Sequence, residues 1–179
     1  VTEDGIDADA PLVGDDPSSQ PDFPFLDFMG KLARSYRQVR KYMLEGEHER
    51  LRGVQVSTEF PCACADCGCA GVGGDCTRVA WPIQDQQPVV FGCLRHSLAD
   101  DQWAVVLVNW KPTSQSITFQ VPPTDVGGTA SDTVKLVPIC MDNGLICDPN
   151  SQIPLSSPNY SATISVPGRN VLAYRVQLN

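Results

Sequence analysis

Trp103-Ala104-Val105-Val106-Leu107-Val108-Asn109-Trp110 is a short apolar run closed by Asp100-Asp101 before it and Lys111-Pro112 after it. Its length, β-branched content and flanking turn residues read as one strand. Alternate side chains of a strand point to opposite faces, which puts Val105 and Leu107 on one side and Val106, Val108 and Trp110 on the other. Both faces are apolar, whereas a half-solvated antiparallel strand alternates apolar with polar. The strand is therefore expected to be central and covered on both sides.

Downstream of Thr77 the sequence keeps this character. Strands are expected over 78–81, 89–96, 103–110, 116–121, 133–138, 161–166 and 171–178. Turn signals separate them, among them Pro122-Pro123, Gly127-Gly128, Asp142-Asn143-Gly144 and Pro167-Gly168-Arg169-Asn170. Short strands at such spacing predict an antiparallel two-sheet β-sandwich. A second sheet covers only one face of 103–110. The other cover is sought in an amphipathic helix over 24–45, where Phe25, Phe28, Met29, Leu32, Tyr36, Val39 and Met43 recur at intervals of three and four. Asp22 supplies the cap signal, Pro24 suits the first turn and Gly46 the stop. Lys31, Arg34, Arg37 and Lys41 lie on the opposite face with Arg40 at its edge, which reads as a solvated face rather than a polyanion site. The fold class is thus mainly β, a two-sheet sandwich with one long N-terminal helix packed on it. Four regions follow: an acidic arm (1–24), helix and extended link (25–60), a Cys-rich loop (61–76) and the sandwich (77–179).

Charge is unevenly spread within a net −8 over 179 residues. Residues 1–22 hold seven acids and no Lys or Arg, hence −7; residues 23–60 hold five acids and seven bases, hence +2; the remainder holds nine acids and six bases, hence −3. This balance argues against nucleic acid and anionic membrane surfaces as partners. No apolar stretch is long enough to span a bilayer. Val1 opens directly into acidic sequence, which reads as a mature or excised product. The arm carries only Ile6, Leu12 and Val13 as apolar anchors, so it orders only against a partner surface. Asp7, Asp9, Asp15 and Asp16 match no EF-hand loop, and a solvated acidic linker is preferred to a calcium site.

Eight cysteines are present, five of them in the run Cys62, Cys64, Cys67, Cys69 and Cys76, with Cys93, Cys140 and Cys147 beyond it. A metal reading has Cys64-x-x-Cys67 flanked by Cys62 and Cys69, without a second pair at finger-like separation. An extracellular disulfide framework is favoured. Cys140 and Cys147 bracket a turn and are expected to pair; Cys93 would take one cluster member and leave four for two bridges, of unassigned connectivity. Asn159-Tyr160-Ser161 fits a glycosylation sequon.

One resemblance is carried by three stretches in order. They are Arg37-Gln38-Val39-Arg40-Lys41-Tyr42-Met43-Leu44-Glu45-Gly46, then Val108-Asn109-Trp110, then Ile164-Ser165-Val166-Pro167-Gly168-Arg169-Asn170-Val171-Leu172-Ala173-Tyr174. Together they resemble the C-terminal end of a multidomain (β/α)8-barrel glycoside hydrolase, in which the last barrel helix leads into a β-sandwich. The resemblance spans 23–179 apart from the cysteine insertion. It implies an ancillary sandwich that packs on a catalytic barrel and sometimes contacts glycan, and it transfers no catalytic residue, because barrel enzymes place these on barrel-strand loops.

The chain's own residues suggest no catalytic centre, no metal site and no cofactor. Asp100-Asp101 sit in a turn where side chains diverge, a poor carboxylate pair for glycoside hydrolysis. Only His48 and His96 could serve a nucleophile, and both read as surface residues. Trp81 and Trp103 lie near strand ends, where an indole either packs the rim or offers a glycan platform. The expected function is a non-catalytic module of a secreted carbohydrate-active protein, with a catalytic barrel, glycan or further copies as partners. Two alternatives stand beside it. One is an extracellular structural or adhesive subunit that assembles into fibres or arrays through Ile6, Leu12 and Val13 of its arm; the weaker is a metal-binding Cys cluster.

Overall fold

A computed structural model describes residues 23–44, 46–59 and 87–179. Helix α1 (Phe23–Met43) leads into the short strands β1 (Gly46–Glu49), β2 (Arg52–Gln55) and β3 (Thr58–Glu59). After these come β4 (Gln87–Pro88), β5 (Val90–Ser97), β6 (Gln102–Asn109), β7 (Gln115–Gln120), β8 (Val134–Pro138), β9 (Ile153–Leu155), β10 (Ser161–Val166) and β11 (Asn170–Leu178). A six-stranded antiparallel sheet has the order β1-β5-β6-β11-β8-β9 and faces a three-stranded sheet β10-β7-β2; β3 and β4 form a small ribbon. The cysteine cluster, Trp81, the arm with Ile6, Leu12 and Val13, and the expected strand 78–81 lie outside the described residues.

β6 is an interior strand of the larger sheet, between β5 and β11. Val105 and Leu107 pack into a core with Leu94, Ile117, Phe119 and Ile164, contributed by both sheets. Ala104 and Val106 join a second core with Val171 and Ala173 from the same sheet and Val39 and Tyr42 from α1. Both faces of the strand are thus buried, by different partners. Trp110 departs from the expected side. The strand ends at Asn109, and the indole packs against the inter-sheet core, its Nε1 donating to the Pro88 carbonyl at 2.8 Å.

The helix is rotated from the expected stripe. Its buried line runs Phe28, Ser35, Val39 and Tyr42 with Leu32 partly buried, while Met29 and Tyr36 are 47% and 37% exposed. The strip of helix buried on the sheet is narrower than the full apolar arc. The small Ser35 is buried on that strip together with Phe28, Val39 and Tyr42. Gly46 proves to be a contact glycine inside β1: a Cβ there would lie 2.4 Å from both the Tyr42 and His96 carbonyl oxygens. The charged run Glu47-His48-Glu49 is itself the outer strand β1, its exposed charges suiting an unpaired edge.

A buried asparagine joins two of the stretches that carry the resemblance. Asn109 Nδ2 donates to the carbonyls of Thr113 (2.8 Å), Val166 (2.9 Å) and Pro167 (3.1 Å), while its Oδ1 accepts from the Lys111 amide (2.9 Å). The end of β6 is thereby tied to the β10–β11 turn. A second asparagine, Asn143, donates to the Val171 carbonyl at 2.7 Å and accepts from the Leu145 amide at 3.2 Å. It pins the loop closed by the Cys140–Cys147 disulfide, whose Met141 enters the helix-side core.

Cys93 is a free thiol among the described residues, partly buried on the helix side of β5 and level with Val106; the cluster from which its partner was expected lies outside them. There it fills space beneath α1 as a small apolar group. Alkylation of denatured, unreduced protein is expected to label Cys93 and to leave Cys140 and Cys147 unlabelled; an unlabelled Cys93 would show a bridge.

Two substitutions test the architecture by urea denaturation. Leu107→Ala is expected to cost about 2–5 kcal/mol as a core cavity. Asn109→Ala removes no apolar packing, yet should cost about 2–4 kcal/mol by stranding buried carbonyls. A loss under 1 kcal/mol for Asn109→Ala would mean that the clamp is dispensable.

Candidate functional site

The β5–β6 turn organises one end of the sandwich. Antiparallel register places His96 opposite Trp103, and their rings stack with centroids 4.2 Å apart and planes within 8°. Asp101 sits in the turn at φ 53°, a left-handed conformation that aspartate tolerates, and its Oδ1 lies 2.6 Å from His96 Nε2. Asp100 turns the other way, to Lys41 of α1, whose ammonium also donates to Gln102 Oε1 at 2.9 Å. The adjacent carboxylates therefore diverge as expected, but each finds a partner. His96 is a wall for the indole rather than a simple surface histidine; His48 is exposed on β1.

Trp103 borders an open cleft of about 740 Å³, with Glu49, Arg52, Thr124 and Asp125 among its other walls. Gly53, at φ +56°, lies in the register irregularity of β2 between Arg52, which pairs with Gln120 of β7, and Gln55, which pairs with Thr118. Arg52 Nε then pairs with Asp125 Oδ2 at 2.7 Å, and Asp125 is carried by the 3₁₀ turn Pro123–Val126 after β7. With the Arg52 side chain 64% exposed, this pair adds about 0–1 kcal/mol at most. What it does is line the cleft with fixed donors and acceptors beside an aromatic ring. Such a surface matches a ligand that has both apolar C–H faces and a fringe of hydroxyls.

The other sequence candidates are dispersed. Asn159 is exposed in the turn before β10. Cys140 and Cys147 are bridged on the helix side. Asp7, Asp9, Asp15 and Asp16 fall outside the described residues, and among those described no group of three or more His, Cys, Asp or Glu is arranged to hold a metal ion. No helix among them is long and apolar enough to cross a membrane. Sequence reasoning missed Arg52, Asp125 and the His96–Trp103 stack. The stack was legible in principle, since both residues lie equally far from the centre of one hairpin; Arg52 and Asp125 carry no such local signal.

No protein-family profile and no curated protein matches the chain. Among solved structures, it is similar to a GH30 endoxylanase from Clostridium papyrosolvens C71, at 16% identity and a TM-score of 0.32 over 52% of this chain. The match spans 21% of that enzyme's chain.

Charge pairing at the turn has a pH signature. Burial opposes the charge on Lys41, but the hydrogen bond and charge of Asp100, with contributions from Tyr42, hold its ammonium above the ordinary range. Lys41 in turn holds the Asp100 carboxyl below its ordinary range. The Asp100 contribution is therefore present above the ordinary carboxylate range and lost as pH falls through the lowered value. That of Lys41 is present below the ordinary ammonium range and lost as pH rises through the raised one. An NMR titration of Asp100 should show a depressed midpoint that Lys41→Met returns toward normal; an unmoved midpoint would mean that the pair is not formed in solution.

Proposed function

We propose that this chain is a non-catalytic, glycan-contacting β-sandwich module of a secreted carbohydrate-active protein. The single observation that carries the reading is the cleft where Trp103 meets Arg52 and Asp125. A saccharide ring stacks its C–H face on an indole, while guanidinium and carboxylate groups satisfy its hydroxyls. A site that only binds needs no nucleophile or proton-transfer pair. The resemblance of 23–179 to the sandwich end of barrel hydrolases supports a place beside a catalytic domain, and the Cys140–Cys147 bridge supports an oxidising, extracellular setting. Exposed Asn159 would then be a glycosylation site.

A specific observation supports a second reading, assembly into a fibre or array. β10 pairs with β7 alone among the described strands and stands at a sheet edge. Such an edge accepts an added strand, which the arm of another copy could supply.

Isothermal titration against a panel of soluble neutral oligosaccharides separates the readings. At least one should bind, and Trp103→Ala should weaken it roughly tenfold or more, about 1.4 kcal/mol, with the fold retained. Absence of binding across the panel, together with concentration-dependent sedimentation as an open polymer, would favour the assembly reading instead.

A further inference from the structure

Arg175 lies on the helix side of the large sheet, where register sets it between Ala104 of β6 and Val137 of β8. Its Nε is shielded from solvent and has no hydrogen-bond partner among the described residues. The guanidinium makes none of the ion pairs formed among them. Arg95, across Ala104 on β5, has a shielded Nε in the same condition. Both Nε atoms are held beyond the reach of a ligand, so the part of Arg175 left to meet one is the terminal Nη fork of a side chain that walls a groove.

Beside Arg175, between α1 and the β8 end of the sheet, runs a groove of about 290 Å³. Gln38, Lys41 and Gln102 supply its polar wall, and Val137, Pro138 and Ile139 its apolar one. Lys41 is already engaged by Asp100 and Gln102. The charges at the groove are then Arg175 and Lys41 against Asp100, a net of one positive charge. We propose that this groove binds the carboxylate of a small organic acid. Arg175 takes the carboxylate in its planar fork, and the acid's apolar body lies along Val137, Pro138 and Ile139. A carboxylate fits better than a phosphate dianion, because the groove offers one uncompensated charge and an apolar wall. The proposal is independent of the glycan cleft, which lies at the end of the other core.

The carboxylate has two sources, a free acid or an aspartate of residues 1–22 of this chain, which carry seven acids. Calorimetric titration of the full chain with benzoate and with acetate tests the site. Benzoate is expected to bind, and more tightly than acetate because of the apolar wall. Arg175→Gln should weaken benzoate about tenfold or more, and Arg175→Lys, which keeps charge but not the fork, by less. The same titration is run on a full-length variant with Asn or Gln at the seven acidic positions of 1–22. Unchanged affinity there identifies a free acid as the ligand, whereas tenfold tighter binding identifies the arm as the resident carboxylate. Should Arg175→Gln fail to fold, amide shift mapping of the wild type decides: perturbations at Gln38, Ile139 and Arg175 support the site, and perturbations elsewhere overturn it. Benzoate that binds neither the wild type nor the arm variant, or that is indifferent to Arg175→Gln in folded protein, overturns it as well.

Discussion

The Asn109 amide is the constraint on which the architecture turns. Its carboxamide engages four backbone groups, three of them carbonyls in two segments distant in sequence from each other. Water cannot substitute at this depth, so the end of β6 and the β10–β11 turn must meet in one geometry. That contact fixes β11 beside β6, and with it the row of Val171 and Ala173 on which α1 rests. Two of the sequence stretches that carry the resemblance to barrel hydrolases are therefore two halves of one hydrogen-bonded junction. Their pattern has a physical reason: an apolar strand that ends in a residue able to satisfy both itself and the returning turn.

The helix-backed arrangement follows from the same strand. A two-sheet sandwich leaves the outer face of β6 apolar, and α1 covers it with Val39 and Tyr42. The Lys41–Asp100 pair and the donation from Arg34 Nε to the Asp142 carbonyl at 3.0 Å fasten the helix at two places along its length. These contacts are weak individually, being near solvent. They set position rather than stability, which the buried side chains supply. The position matters because the groove beside Arg175 exists only where α1 stops covering the sheet.

Different parts of the site were legible in the sequence to different degrees. Trp103 could be singled out as an indole at a strand end, because period-two alternation and the Asp100-Asp101 turn already locate it. Its role as both rim packing and cleft wall could not, since this depends on β2 and the 3₁₀ turn coming together through Arg52 and Asp125. The helix was legible as amphipathic, but its orientation was not: helical periodicity names an apolar arc, and packing against the sheet selects the strip used. Tyr36 belongs to the arc and not to the strip. Arg175 carries no local sequence signal, because its place beside the groove depends on what α1 and β8 leave around it.

By itself the sequence determined the sandwich, the amphipathic helix, the double-sided burial of 103–110 and the Cys140–Cys147 pairing. Each rests on residues close together in the chain, where periodicity and turn chemistry act directly. Only the tertiary structure decided that Trp110 leaves the helix side, that Cys93 packs on the helix-side core, that β1 is built from a charged run, and that His96 stacks on Trp103 beside Arg52 and Asp125. Those outcomes depend on pairings across the sheets, where burial and register rather than local preference set the free energy.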